Sequence, residues 1–309
     1  MMTNFSKSSL ISKNSSKKRM KSLALGIVSV YLAYCFIDMR DYRSQLERKR
    51  VVICGASSGI GEELAYTYSR YGAKLLVTAR RENLLKNVTR KCSELGAESV
   101  DYVALDLKNE ADTTKLIDKA VAVMGGIDVI VLSHALILYK SLNFSSDFDL
   151  GKAQEVFSVN TLSYIFLVHK AMPHLEQSHG SVVALSSFSG KFGVPHYSLY
   201  SASKHALHGY FDSLRHELIV AKSNVSITTV VLGHVKTQIV YNQLANKTIG
   251  NWLEPNTTAE VIVKAGVRKE QEFYYPYIQF SAMSYLKSWL PRLYGYLLRS
   301  NLDPPDKVY

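Results

Sequence analysis

The chain has 309 residues, 47% of them hydrophobic and 20% charged, enough apolar material to bury a large core in one domain. Its formal charge of +11 raises nucleic acid as a partner, but Lys7, Lys13, Lys17, Lys18, Arg19 and Lys21 supply six of those charges ahead of any folded segment, so nucleic acid is set aside. Cys35, Cys54 and Cys92 follow no metal-ligand spacing, which leaves neither a zinc site nor a disulfide framework to expect.

The first element is the uncharged run SLALGIVSVYLAYCFI at residues 22–37, long enough for about 24 Å of helix at roughly 1.5 Å per residue. Six basic and no acidic residues precede it, whereas residues 38–50 mix five basic with three acidic. By the positive-inside rule, a single-pass signal anchor there holds the N-terminus in the cytosol and the rest in the lumen of the endoplasmic reticulum, whose thinner bilayer suits a short span. A cleaved signal peptide is the alternative, since Ala33 and Cys35 imitate a cleavage site, although the 21-residue basic lead is long for one. Asn87, Asn143, Asn224, Asn246 and Asn256 each open an Asn-x-Ser/Thr triplet, which fits a lumenal glycoprotein.

From Val51 the pattern changes. VVIC at 51–54, AKLLVTA at 73–79, VDYVAL at 100–105, IDVIVL at 127–132, SVVALS at 181–186 and VSITTVV at 225–231 predict buried strands, and the segments between them space apolar residues as helices do. That alternation predicts an α/β fold with a doubly wound parallel sheet. Gly55, Gly59 and Gly61 follow the first strand and open the first helix, where absent side chains allow a tight turn and a backbone close to a pyrophosphate. The free amides at that helix start, with the positive end of the helix dipole behind them, bind the anion. Past the second strand, Arg80 and Arg81 stand where a carboxylate would select NAD and an arginine favours the 2′-phosphate of NADP; the alternative is a solvated charge at a strand end, and Glu82 lies close by.

Ser187 closes the fifth strand, at the edge where parallel sheets hold their ligands. Tyr200 and Lys204, four apart in a helical segment, share a face and reach the same cofactor ribose. The tail from Phe273 is dense in aromatic residues and leucine, with Ile278, Ala282, Tyr285 and Trp289 on one helical face and Leu286 and Leu290 beside it. Such a face packs in a dimer or core, or dips into the bilayer beside the anchor.

The glycine turn, SVNTLSY at 158–164, Ser187 and YSASK at 200–204 together resemble the short-chain dehydrogenase/reductase family over about residues 50–243. Within it, SHGSVVALSSFSGKFG, YSASKHALHGYFDSLRHEL and NVSITTVVLG are similar to the 11-beta-hydroxysteroid dehydrogenase group. The resemblance implies a Rossmann domain at 51–270 after a basic lead (1–21), anchor (22–37) and linker (38–50), with an amphipathic extension at 271–309. It implies an NADP(H)-dependent oxidoreductase, with NAD(H) as the weaker choice, acting on a lipophilic, steroid-like ketone or secondary alcohol at the endoplasmic reticulum membrane as a homodimer. Retinoid, fatty or xenobiotic carbonyls are alternative substrates, and a non-catalytic dinucleotide-binding scaffold is the alternative of another class.

By the same resemblance Ser187 hydrogen-bonds the substrate carbonyl, Tyr200 is the general acid or base, Lys204 holds the ribose and lowers the phenol's pKa, and Asn160 anchors a water in the proton relay. Gly55, Ser57, Ser58, Gly59, Ile60, Gly61, Arg80, Asp106, Leu107 and Thr237 fall where the family contacts the dinucleotide. Cys54 replaces the usual threonine, Ser58 a frequent basic residue, Leu232 a frequent proline, and Leu132–Ala135 the family's N-N-A-G. In that last segment His134 is a ligand contact or a structural histidine. The residue types also suit the chemistry, because an alkoxide formed by hydride transfer needs a proton and a free tyrosine near pKa 10 is a poor base unless a cation lies within about 4–6 Å.

Overall fold

Among the described residues, 26, 42–138, 149–238, 240 and 252–300, the computed structural model builds one seven-stranded sheet. Its strands are β1 Arg50–Cys54, β2 Lys74–Ala79, β3 Ser99–Ala104, β4 Val129–Leu132, β5 Ser181–Ser187, β6 Ser226–Leu232 and β7 Glu272–Tyr275. The order is β3-β2-β1-β4-β5-β6-β7, with every neighbouring pair parallel. Among its helices are α1 Gly59–Arg70, α2 Glu82–Glu94, α3 Glu110–Met124, α4 Leu150–Phe157, α5 Ser163–Ser178, α6 Ser198–Val220, α7 Pro255–Val267, α8 Tyr277–Trp289 and α9 Pro291–Ser300. A π-helical turn, Ser158–Leu162, joins α4 to α5.

Helices α1, α2 and α7 cover one face of the sheet, while α3, α5 and α6 cover the other. Strands sealed on both sides have no polar face to show, which is why Val51, Val52, Ile53 and Cys54 read as an unbroken apolar run and all lie at 0% exposure. Burying each such side chain stabilises the fold by about 1.5–3 kcal/mol. The order of strands reverses between β1 and β4, so their C-terminal ends diverge into a crevice, the place where open α/β sheets take their ligands.

Two expectations change. Sequence reading ends the Rossmann domain at residue 270, yet β7 lies past that boundary and pairs with β6 from Thr229↔Glu272 to Leu232↔Tyr275. Its four residues are all half-buried on the sheet edge, so they lack the apolar continuity that marks the inner strands. In the tail, Ile278 (80% exposed), Tyr285 (70%) and Trp289 (80%) face away from the sheet, and Phe280 and Tyr294 dock instead, so the packed-core reading of that apolar face does not hold. The basic lead, the anchor at 22–37 and sequons Asn143 and Asn246 fall outside the described residues, Gly26 excepted. Among the described residues no helix is long and apolar enough to cross a membrane.

Candidate active site

The turn after β1 is as tight as its glycines suggest, but the atoms that crowd it belong to the chain itself. Gly55 has φ +85, and a Cβ there would stand 2.6 Å from the backbone nitrogen of His134; on Gly61 it would stand 2.2 Å from the Gly55 carbonyl oxygen. These two glycines therefore let β1, the β4 loop and α1 close on one another rather than on a ligand. Gly59, at φ +64, packs under Thr237, whose Cγ2 would lie 2.9 Å from a Cβ. No side chain caps α1, because the Ser58 hydroxyl is turned to Arg81. The first amides of α1 thus stay available at the positive end of the helix, which suits an anion.

Arg81 is the side chain that reaches this turn: its Nη2 donates to Ser57 Oγ at 2.9 Å and Ser58 Oγ at 2.7 Å. Arg80, the residue singled out from the sequence, also borders the crevice, and both arginines are exposed. The two were adjacent and equivalent in the sequence; only the entry of α2 at Glu82 decides which guanidinium points back to the glycines. Asp106 and Leu107 follow β3 at the same rim, where the Asp106 carboxylate accepts from the Lys108 amide at 3.3 Å and Leu107 is 6% exposed.

At the other end, β5 stops at Ser187 and a 3₁₀ turn, Phe188–Gly190, begins; the Ser189 amide donates to Ser187 Oγ at 3.1 Å. Tyr200 lies in the first turn of α6 and Lys204 in the next, at 8% and 2% exposure. Lys204 Nζ donates to the Leu185 carbonyl at 2.9 Å and stands 4.9 Å from the centre of the Tyr164 ring, a cation–π contact. Burial pushes the Tyr200 phenol up to about 12, partly offset by its hydrogen bond with Ser187, and burial pushes Lys204 down to about 7. Beside the lowering by Lys204 that the resemblance implies, burial acts on the phenol in the opposite direction. Desolvation dominates both groups, and it acts against the charge of each.

Asn160 is fully buried in the π-helical turn, and its side chain binds the protein rather than the cavity. Oδ1 accepts from the Leu136 amide at 2.7 Å, while Nδ2 donates to the Leu136 carbonyl at 2.9 Å and to Ser203 Oγ at 3.1 Å. Both amide hydrogens are taken, so the side chain ties the β4 loop to α6 instead of presenting a donor to a water. His134 is tied in as well: the Ser163 hydroxyl donates to the Val159 carbonyl at 2.7 Å, so His134 Nε2, 2.7 Å from that hydroxyl, must be the donor. Its Nδ1 is then a bare acceptor, buried and unpaired, and burial pushes the ring down to about 3, leaving it neutral.

One cavity of about 760 Å³ unites these parts, bordered by Gly55, Gly59 and Gly61 at one end and by Ser187, Tyr200 and Lys204 at the other. Asn160 is not among its wall residues. An elongated cavity with uncapped helix amides and an arginine at one end, and a buried phenol and amine at the other, fits a dinucleotide with a second molecule beside it. Sequence reading missed Met283 of α8 and Leu297 and Leu298 of α9, which reach the wall from the tail; its apolar face signalled packing but not this destination.

Comparison with known proteins gives the same picture. Residues 49–248 match the family described as short chain dehydrogenase. The chain is 38% identical over 282 residues to hydroxysteroid 11-beta-dehydrogenase 1-like protein A of Xenopus laevis, covering 90% of this chain and 95% of that protein. It is similar at 38% over 260 residues to the hydroxysteroid 11-beta-dehydrogenase 1-like protein of Xenopus tropicalis, covering 84% and 89%, and at 36% over 273 residues to that of Danio rerio, covering 88% and 94%.

Proposed function

The chain belongs to the short-chain dehydrogenase/reductase family, related to the hydroxysteroid 11-beta-dehydrogenase 1-like proteins, and from that membership we propose an NADP(H)-dependent interconversion of a ketone and a secondary alcohol on a lipophilic, steroid-like substrate. The observation that carries this reading is the convergence of the glycine turn, Ser187, Tyr200 and Lys204 on one cavity. A non-catalytic scaffold needs the first of these and has no use for a buried amine beside a buried phenol.

When bound, the nicotinamide ring supplies the hydride acceptor or donor. The uncapped amides of α1 would hold the phosphates, and Arg81 with Ser57 and Ser58 forms a cationic, hydroxyl-lined niche suited to a 2′-phosphate. This supports NADP(H) over NAD(H), with Arg80 at its outer edge. Ser187 donates to the substrate carbonyl and Tyr200 delivers the proton that the developing alkoxide requires. At about 12 the phenol is protonated at neutral pH, ready to act as an acid, with the Lys204 amine one helical turn further along. The apolar wall of Met283, Leu297 and Leu298 suits a lipophilic substrate.

For the cellular setting, the uncharged run at 22–37 supports a signal anchor in the endoplasmic reticulum membrane with a lumenal enzyme, and the exposed apolar face of α8 supports contact with lipid or with a second copy. Sequons Asn87, Asn224 and Asn256 are exposed, as glycan attachment requires. A glycosidase digest of protein made in animal cells is expected to lower its apparent mass; an unchanged mass places the domain outside the lumen. The enzymatic reading is tested by following NADPH oxidation against a panel of ketosteroids, retinoids and fatty carbonyls. Turnover with a ketosteroid is expected, and no turnover with any carbonyl, despite tight NADPH binding, favours the scaffold.

A further inference from the structure

Behind Ser187 runs a chain of hydrogen bonds that the proposed chemistry does not use. The Ser186 hydroxyl, 5% exposed, lies 3.0 Å from His208 Nε2; His208, also 5% exposed, places Nδ1 3.2 Å from Glu272 Oε1. Lys191 Nζ donates to that same carboxylate oxygen at 2.6 Å, and the Tyr274 hydroxyl donates to Oε2 at 2.7 Å. Burial alone would push Glu272 up, but the hydrogen bonds from His208, Lys191 and Tyr274 outweigh it and pull the carboxyl down to about 2. An ionised carboxylate only accepts, so His208 carries its hydrogen on Nδ1, Nε2 is the acceptor, and Ser186 donates to it.

A serine, a histidine and a carboxylate in this order have the geometry of a nucleophilic triad. Here that use is closed off. A Cβ on Gly190 would lie 2.6 Å from Ser186 Oγ and 3.1 Å from the His208 ring, so the backbone of the 3₁₀ turn sits directly over the hydroxyl and leaves no room for an acyl group. What the array touches is the turn that sets Ser187: Ser186 precedes it in β5, Gly190 ends the turn, and the Ser189 amide between them holds Ser187 Oγ. His208 also follows Tyr200 and Lys204 at the same four-residue spacing on α6, so one face of that helix carries all three.

We propose that His208, held by Glu272 and holding Ser186, is a positioning residue that braces the Phe188–Gly190 turn and thereby aims the Ser187 hydroxyl at the substrate carbonyl, with its neutral form as the working state. The inference rests on the reading in which Ser187 binds that carbonyl. Protonation of His208 would put a hydrogen on Nε2, turn the Ser186 hydroxyl away, and loosen the support under Gly190. The charged and titratable groups around the ring are Glu272 and Tyr274 on β7, Lys191 after the turn and Asp212 one turn further along α6. Burial lowers the His208 pKa most, Glu272 and Asp212 raise it, and Lys191 lowers it again; the net direction is down from 6.5, so the working state prevails at neutral pH.

The test pairs turnover with a measurement that needs none. In the intact chain, ¹⁵N spectra of the imidazole are expected to report hydrogen on Nδ1 in the neutral form, with protonation only below pH 6.5. His208→Phe and Ser186→Ala are expected to lower kcat about tenfold, the effect of one lost hydrogen bond to a positioned group, with the NADPH dissociation constant unchanged. His208→Gln, which can still donate to Glu272 and accept from Ser186, is expected to restore most of that loss at pH 7 and to flatten the acid limb of kcat against pH. Wild-type kcat in His208→Phe, an acid limb unmoved in His208→Gln, or hydrogen on Nε2 would each overturn the proposal. If the wild-type protein binds NADPH but reduces no carbonyl, the hydride-transfer reading falls instead, and the brace is then judged by the imidazole spectrum alone.

Discussion

Arg81 and Lys204 both border the cavity and both carry cationic heads, yet Arg81 is exposed and Lys204 is 2% exposed. The guanidinium lies across two serine hydroxyls at the rim, a planar fork in contact with water. The amine is sealed between the Leu185 carbonyl and the Tyr164 ring, and burial has brought its pKa down to about 7, against an ordinary 10.5. A cationic group is therefore left to solvent at the rim and disfavoured in its charged form where burial seals it.

The largest expected effect lies at the sealed end. Tyr200→Phe removes the exchangeable proton and leaves the rim untouched, so kcat should fall by roughly 10²- to 10⁴-fold while NADPH binding, read by cofactor fluorescence, stays near wild type. Comparable losses in both would erase the division of labour between the two ends. At the rim, Arg81→Ala should raise the KM for NADPH by about ten- to a hundredfold, the worth of a charged hydrogen bond, with little change for NADH. Arg80→Ala should do so less, and the reverse ranking would return the recognition role to Arg80.

The smallest effect concerns stability. Because burial depresses Lys204, its charged form opposes folding; that opposition is complete below about pH 7 and fades as pH rises toward 10.5. Lys204→Met should therefore raise the thermal midpoint of the cofactor-free protein at pH 6, by about 2–4 °C for each kcal/mol recovered, with the difference closing near pH 10. A variant that melts lower at pH 6 would show that the amine's contacts outweigh its desolvation.

The inner strands and the glycine turn were legible in the sequence because full burial writes them as unbroken apolar runs and because a helix opening straight after a strand leaves little freedom at Gly55 and Gly59. The spacing of Tyr200 and Lys204 was legible for a similar reason, since one helix fixes it. Strand β7 was not, because four half-buried residues are too few to set a pattern. The choice between Arg80 and Arg81 was hidden in the direction of one loop, and the Ser186–His208–Glu272 array joins residues from three separate elements that no local pattern connects. Electrostatics was the least visible: the sequence offered a cation beside a phenol, but the sign of the outcome depended on how deeply both are buried.

The π-helical turn Ser158–Leu162 has a consequence for how this chain tolerates change. It takes up one residue more than an α-helical turn would by widening the backbone there, so the residues after it keep the faces they would have without the extra one. Deleting a single residue there would let the stretch close as plain α-helix with Tyr164 still beneath the ammonium and Leu167 and Val168 still in the core, and what it would remove is the widened turn that sets Asn160 against the Leu136 backbone and Ser203.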